Sequence, residues 1–138
     1  MRHCILLALT MASSACTTDL DVESELNVET AESELSTRYV ECYVDTPALD
    51  VYQKDRCSAN GNVGSTVSFR FYSSVPPTYV QWRIIDPLGN PVPSNCIGSQ
   101  CDAAISPGQT IRGVVDYYII NGTPTQGALA TAVYRSLQ

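Results

Sequence analysis

Six cysteines, fourteen carboxylates, one histidine and one lysine are the residues of this 138-residue chain from which chemistry could be assembled. The histidine is His3, inside an apolar leader, so the folding part would hold no group whose unperturbed pKa lies near neutrality. A Ser-His-Asp triad and a Cys-His pair are therefore excluded. Lys54 stands in a polar segment, where no apolar strand would depress its pKa to make it a nucleophile. Carboxylate pairs for glycoside chemistry are left, with Asp50 and Asp55, or Asp86 and Asp116, as the nominal couples. Asp86 precedes Pro87 in a run of turn formers, a position where Asp caps backbone. The segment from Ser58 to Asn62 lacks the regular acidic ligands of a calcium loop and reads as a tight turn. Zinc is disfavoured because no cysteine pair has two-residue spacing. No catalytic residue, metal or cofactor is expected.

The cysteines carry more information. Cys4 and Cys16 belong to the leader region, while Cys42, Cys57, Cys96 and Cys101 belong to the folding part. Arg2 followed by the apolar stretch Ile5 to Ala12 and the small residues Ser13, Ser14 and Ala15 reads as an export signal over residues 1–15. Eight residues are too few to cross about 30 Å of hydrocarbon. Export makes disulfides the default for the four later cysteines. Of three connectivities, Cys42 with Cys57 and Cys96 with Cys101 joins neighbours in sequence, the second pair stapling a loop from Asn95 to Asp102.

Ser13, Ser14, Ala15 and Cys16 resemble the lipobox of bacterial lipoproteins. The resemblance implies that Cys16 is lipidated, becomes the mature N-terminus and anchors the chain to a membrane. Thr17, in place of an Asp, implies sorting to the outer membrane of a diderm bacterium. Ser13 stands where that family prefers an aliphatic residue, so ordinary cleavage after Ala15, giving an extracellular protein, is the alternative.

Residues 16–38 form an acidic segment, with Asp19, Asp21, Glu23, Glu25, Glu29, Glu32 and Glu34 against Arg38 alone. It has no aromatic residue and neither a helical stripe nor sustained alternation, and it reads as a disordered tether. Its rms reach would be about 25 Å, enough to clear a lipid headgroup layer. Basic residues are few and dispersed, which disfavours nucleic acid as a partner.

From Tyr39 to Gln138 the pattern has period two. Val40, Cys42 and Val44 alternate with Tyr39, Glu41 and Tyr43. Val67, Phe69 and Phe71 alternate with Ser68, Arg70 and Tyr72. Val80, Trp82 and Ile84 alternate with Tyr79, Gln81 and Arg83. Ile111 to Ile120 reads as a further strand, followed by a loop from Asn121 to Gly127 and a closing strand from Ala128 to Arg135. A weak helix candidate spans Thr46 to Lys54. The fold class is all-β, with two antiparallel sheets packed face to face over residues 39–138. Trp82 and the turn Asp86, Pro87, Leu88, Gly89, Asn90 resemble immunoglobulin-like bacterial surface sandwiches, in which a tryptophan on a central strand packs between the sheets.

These features predict a non-catalytic module for interaction or structure, at the cell envelope or secreted. Tyr39, Tyr43, Tyr72 and Tyr79 fall opposite the expected core and would offer an aromatic platform to a glycan or a protein. A small carboxylate hydrolase, and an inhibitor or effector of another protein acting through the Cys96 to Cys101 loop, are the alternatives.

Overall fold

The computed structural model describes residues 37–47 and 51–138; the leader, Cys16, the acidic segment to Ser36 and Asp50 lie outside the described residues. Two sheets and no helix make up what is described. The first sheet has the strand order β2 (Gln53–Lys54), β1 (Arg38–Val44), β4 (Ser65–Ser73), β7 (Gln100–Ile105) and β6 (Ser94–Ile97). The second runs β3 (Arg56–Gly61), β10 (Leu129–Ser136), β8 (Thr110–Ile120) and β5 (Tyr79–Ile85), with β9 (Thr123–Gln126) also paired to β8. All pairings are antiparallel except that of β3 with β10.

The alternating residues form these strands because each has one apolar and one polar row. Val40, Cys42 and Val44 of β1, with Val67, Phe69 and Phe71 of β4, turn inward from the first sheet. Trp82 and Ile84 of β5, Val115 and Tyr118 of β8, and Ala130, Ala132 and Tyr134 of β10 meet them in one core. Each large side chain buried there stabilises the fold by about 1.5–3 kcal/mol. Gly113 of β8 lies against Phe69, and a Cβ there would come within 2.5 Å of the ring. Gly113→Ala should therefore overpack the core at a cost of about 1–3 kcal/mol. A urea midpoint unchanged from wild type would show that Phe69 has room to move.

Both disulfides pair as the spacing predicts. Cys42–Cys57 joins β1 of the first sheet to β3 of the second, both cysteines being buried. Cys96–Cys101 closes the β6–β7 hairpin at directly facing positions. The chain passes from one sheet to the other at Asp55, whose φ of 63° is left-handed, a conformation that Asp tolerates better than most residues. Asp55 donates its N–H to the Val40 carbonyl at 2.9 Å, and its own carbonyl accepts from the Thr131 N–H at 3.0 Å.

Several expectations need correction. Ser58 to Asn62 is mostly not a turn, because Arg56–Gly61 is a strand held by its parallel partner β10. The proposed helix around Thr46 to Lys54 ends instead in the short strand β2, which pairs with Glu41 and Cys42. The loop from Asn121 to Gly127 shrinks to the two-residue turn Asn121 and Gly122, both at positive φ, as hairpin turns of this kind require. The segment from Asn95 to Asp102 is a hairpin rather than a loop. The strand bearing Trp82 is an edge strand of its sheet, not a central one. Trp82 nevertheless points inward and is only 8% exposed.

Candidate functional site

The outward row of the first sheet brings together the chemistry that could meet a ligand. Register sets the layout, since directly facing residues of antiparallel strands share a face. Tyr39 faces Tyr72, Glu41 faces both Lys54 and Arg70, and Tyr43 faces Ser68. Arg70 and Ser68 then face Gln100 and Asp102. Gln100 and Asp102 in turn face Ile97 and Asn95 on the edge strand β6.

The aromatic rings there are not a flat floor. Tyr39 stacks on Tyr72 with centroids 4.8 Å apart, and the Lys54 ammonium lies 4.9 Å from the Tyr39 centroid. Tyr43 meets Tyr52 edge-on at 4.8 Å, and the Arg70 guanidinium lies over Tyr52 at 4.0 Å. Arg70 also donates through Nε to Glu41 at 2.6 Å. The result is two short clusters, each of two tyrosine rings with one cation over one of them, in which the ring quadrupoles hold the cations. Burial and the neighbouring Tyr43 push the Tyr52 hydroxyl above its ordinary pKa, so it stays a neutral donor under all ordinary conditions.

Beside these clusters the polar groups are fixed. The Ser68 hydroxyl donates to Asp102 Oδ1 at 2.6 Å, and Gln100 Nε2 donates to both Asp102 oxygens at 3.2 and 3.3 Å. Asn95, Ile97, Gln100 and Asp102 line a depression of about 280 Å³.

Of the four tyrosines expected on one platform, the structure brings together Tyr39 and Tyr72 and sets Tyr43 on the same face. Tyr79 lies on the second sheet, its ring 5.9 Å from Tyr117. Tyr117 reaches that side through a bulge: β8 has Val115 opposite Trp82 and Tyr117 opposite Gln81, leaving Asp116 as the extra residue. Tyr52 joins this face although the alternation of the longer strands does not point to it. The only signal for it is the alternation of Val51, Tyr52, Gln53 and Lys54, too short to argue a strand from sequence.

Of the nominal carboxylates, Asp86 and Asp116 are each engaged by other groups. Asp86 Oδ1 accepts from the Leu88 and Asn90 N–H groups at 2.8 Å each, and Asp86 Oδ2 accepts from the Asn90 side chain. The Asn90 side-chain bond, helped by its backbone N–H, lowers the Asp86 pKa below the ordinary value. Such a group holds no proton to donate at neutral pH. Asp116 is ion-paired with Arg83 at 2.7 Å. Asp50 lies outside the described residues, as does Cys16. No cluster of three or more metal-ligating side chains occurs among the described residues.

No protein-family model, curated protein or solved structure matches this chain.

Proposed function

We propose that the chain is an exported, non-catalytic binding module with an immunoglobulin-like sandwich, held at an outer membrane by lipid on Cys16, that uses the outer face of its first sheet to hold a glycan or a protein. The two sheets around one core support the sandwich reading. The disulfides suit an oxidising compartment. The observation that carries the function is the cluster of Tyr39, Tyr72, Tyr43 and Tyr52 with Lys54 and Arg70 on a single face. Aromatic rings with polar tips and an engaged arginine are the residue types over-represented where surfaces bind. Asp86 and Asp116 each serve the fold, which leaves hydrolysis without an evident acid.

The test is to present the full chain to immobilised glycans and envelope proteins, beside a variant carrying Tyr52→Ala and Tyr72→Ala. The expected result is a ligand whose affinity falls about tenfold or more in the variant, which removes ring contacts central to the face. Ligands bound equally by both proteins would show that this face is not the binding surface.

A further inference from the structure

The β7 side of the β6–β7 hairpin is packed into the core, whereas its β6 side is held by other means. All four residues of β6 are exposed, and Ile97 is 75% exposed, so little burial secures this edge. Three other devices do so. The Cys96–Cys101 bond closes it across facing positions. The Trp82 indole N–H donates to the Gly98 carbonyl at 2.9 Å, and the Phe71 N–H donates to the Ser99 carbonyl at 2.8 Å. What the hairpin holds in place is the row Asn95, Ile97, Gln100 and Asp102 around the depression. Fixing side chains before a ligand arrives removes the ordering cost of binding.

The chemistry of that row selects a ligand class. We propose that the hairpin, with Tyr52 and Arg70 beside it, is a subsite for a neutral glycan bearing adjacent hydroxyls. The proposal rests on the reading that the first sheet's outer face binds. Asn95 and Asp102 are planar groups that each offer two parallel hydrogen-bonding directions, the geometry that adjacent hydroxyls match, and Gln100, its Nε2 turned to Asp102, adds its side-chain carbonyl oxygen. Asp102 keeps acceptor capacity beyond Ser68 and Gln100, since an ionised carboxylate has about four lone-pair sites.

Charge argues against an anionic ligand. Lys54 and Arg70 are balanced on this face by Glu41 and Asp102, Arg70 being bonded to Glu41 and Lys54 lying over Tyr39. A protein hot spot would need an apolar centre, and here Ile97 is the sole exposed aliphatic side chain in the row. Ile97 instead provides a small apolar surface against which the C–H face of one sugar ring can lie. A depression of about 280 Å³ sits just below the size at which pockets for drug-sized molecules begin, about 300 Å³, and suits a single ring of a longer chain.

The experiment titrates the isotope-labelled full chain with β-1,4-linked hexasaccharides of glucose, xylose and N-acetylglucosamine, following amide shifts. The expected result is saturable shifts from at least one of them, centred on residues 94–102 and Tyr52. Asn95→Ala with Gln100→Ala changes only exposed side chains, so the variant should fold, and it should weaken binding about tenfold through the lost hydrogen bonds. Shifts centred on Tyr79 and Tyr117 would overturn the assignment. So would silence from all three sugars, and there the outcomes part: if a protein ligand is still lost with Tyr52→Ala and Tyr72→Ala, the face binds but not to glycans. If no ligand depends on those tyrosines, the binding face itself falls with the glycan.

Discussion

Trp82→Ala should destabilise the protein by about 3–5 kcal/mol, as truncation of a large core side chain does. A protein of this size has only about 5–15 kcal/mol to lose, so much of the variant could be unfolded at physiological temperature. The argument joins three observations. Trp82 is 8% exposed between the sheets, its neighbours Gln81 and Arg83 turn outward, and its indole N–H holds the Gly98 carbonyl of the opposite sheet. Alanine would leave a cavity and also orphan that carbonyl. Trp82→Phe separates the two effects, since it fills most of the space but cannot donate, and should cost less. Circular dichroism during urea unfolding is the measurement, because Trp82 is the only tryptophan and its emission is lost with it. A loss below about 0.5 kcal/mol would mark a surface residue and refute the packing assignment.

Removing the inter-sheet disulfide, by Cys42→Ala with Cys57→Ala, is expected to cost about 3 kcal/mol. The cysteines are 15 apart in sequence, and the chain-entropy treatment assigns about that much to such a loop. Both sulfurs are buried, so lost packing adds to the entropy. The hairpin bond spans five positions, for which the same treatment gives about 2 kcal/mol. Cys101 is buried but Cys96 is exposed, so removing the bond chiefly frees an edge strand. Thermal unfolding of the two double variants side by side should rank the inter-sheet pair as the costlier. The reverse order would mean that the hairpin, rather than the β1–β3 bridge, holds the two sheets together.

How much of this could be read in advance depends on the neighbours each strand has. The strands β1, β4 and β5 are legible because large apolar residues such as Val40, Phe69 and Trp82 alternate with Glu41, Arg70 and Arg83, and that alternation is the physical cause of a half-buried strand. The strands β3, β6 and β7 read Arg-Cys-Ser-Ala-Asn-Gly, Ser-Asn-Cys-Ile and Gln-Cys-Asp-Ala-Ala-Ile, with small and polar side chains that specify little by themselves. Pairing with β10 and β4, together with the two disulfides, makes them strands, and neither influence is visible in a local window. The strand β9 contains Pro124, which argues against a central strand but is compatible with an outer position.

The site shows the same division. Facing rows on β1 and β4 followed from alternation, so Tyr39, Tyr43 and Tyr72 were placed correctly relative to the core. Which tyrosines share a sheet depends on topology, and Tyr79 belongs to the other one. The bulge at Asp116 shifts the parity of β8, so that Val115 and Tyr118 both face inward although they are three apart. Period-two reading cannot carry a strand through such a shift.

The bridge between Cys42 and Cys57 also determines how the molecule would bear tension. A pull on the N-terminal side of β1 enters at Arg38 and reaches Cys42 after four residues. From there the covalent path runs across the sulfurs to Cys57, bypassing the fourteen residues between them. That stretch, which holds Tyr43, Tyr52 and Lys54, lies off the line of force and cannot be paid out while the bond is intact. At about 3.4 Å per extended residue, close to 50 Å of chain is withheld from stretching. Half of the tyrosine-cation face is thereby shielded from any load applied through the N-terminal side of β1.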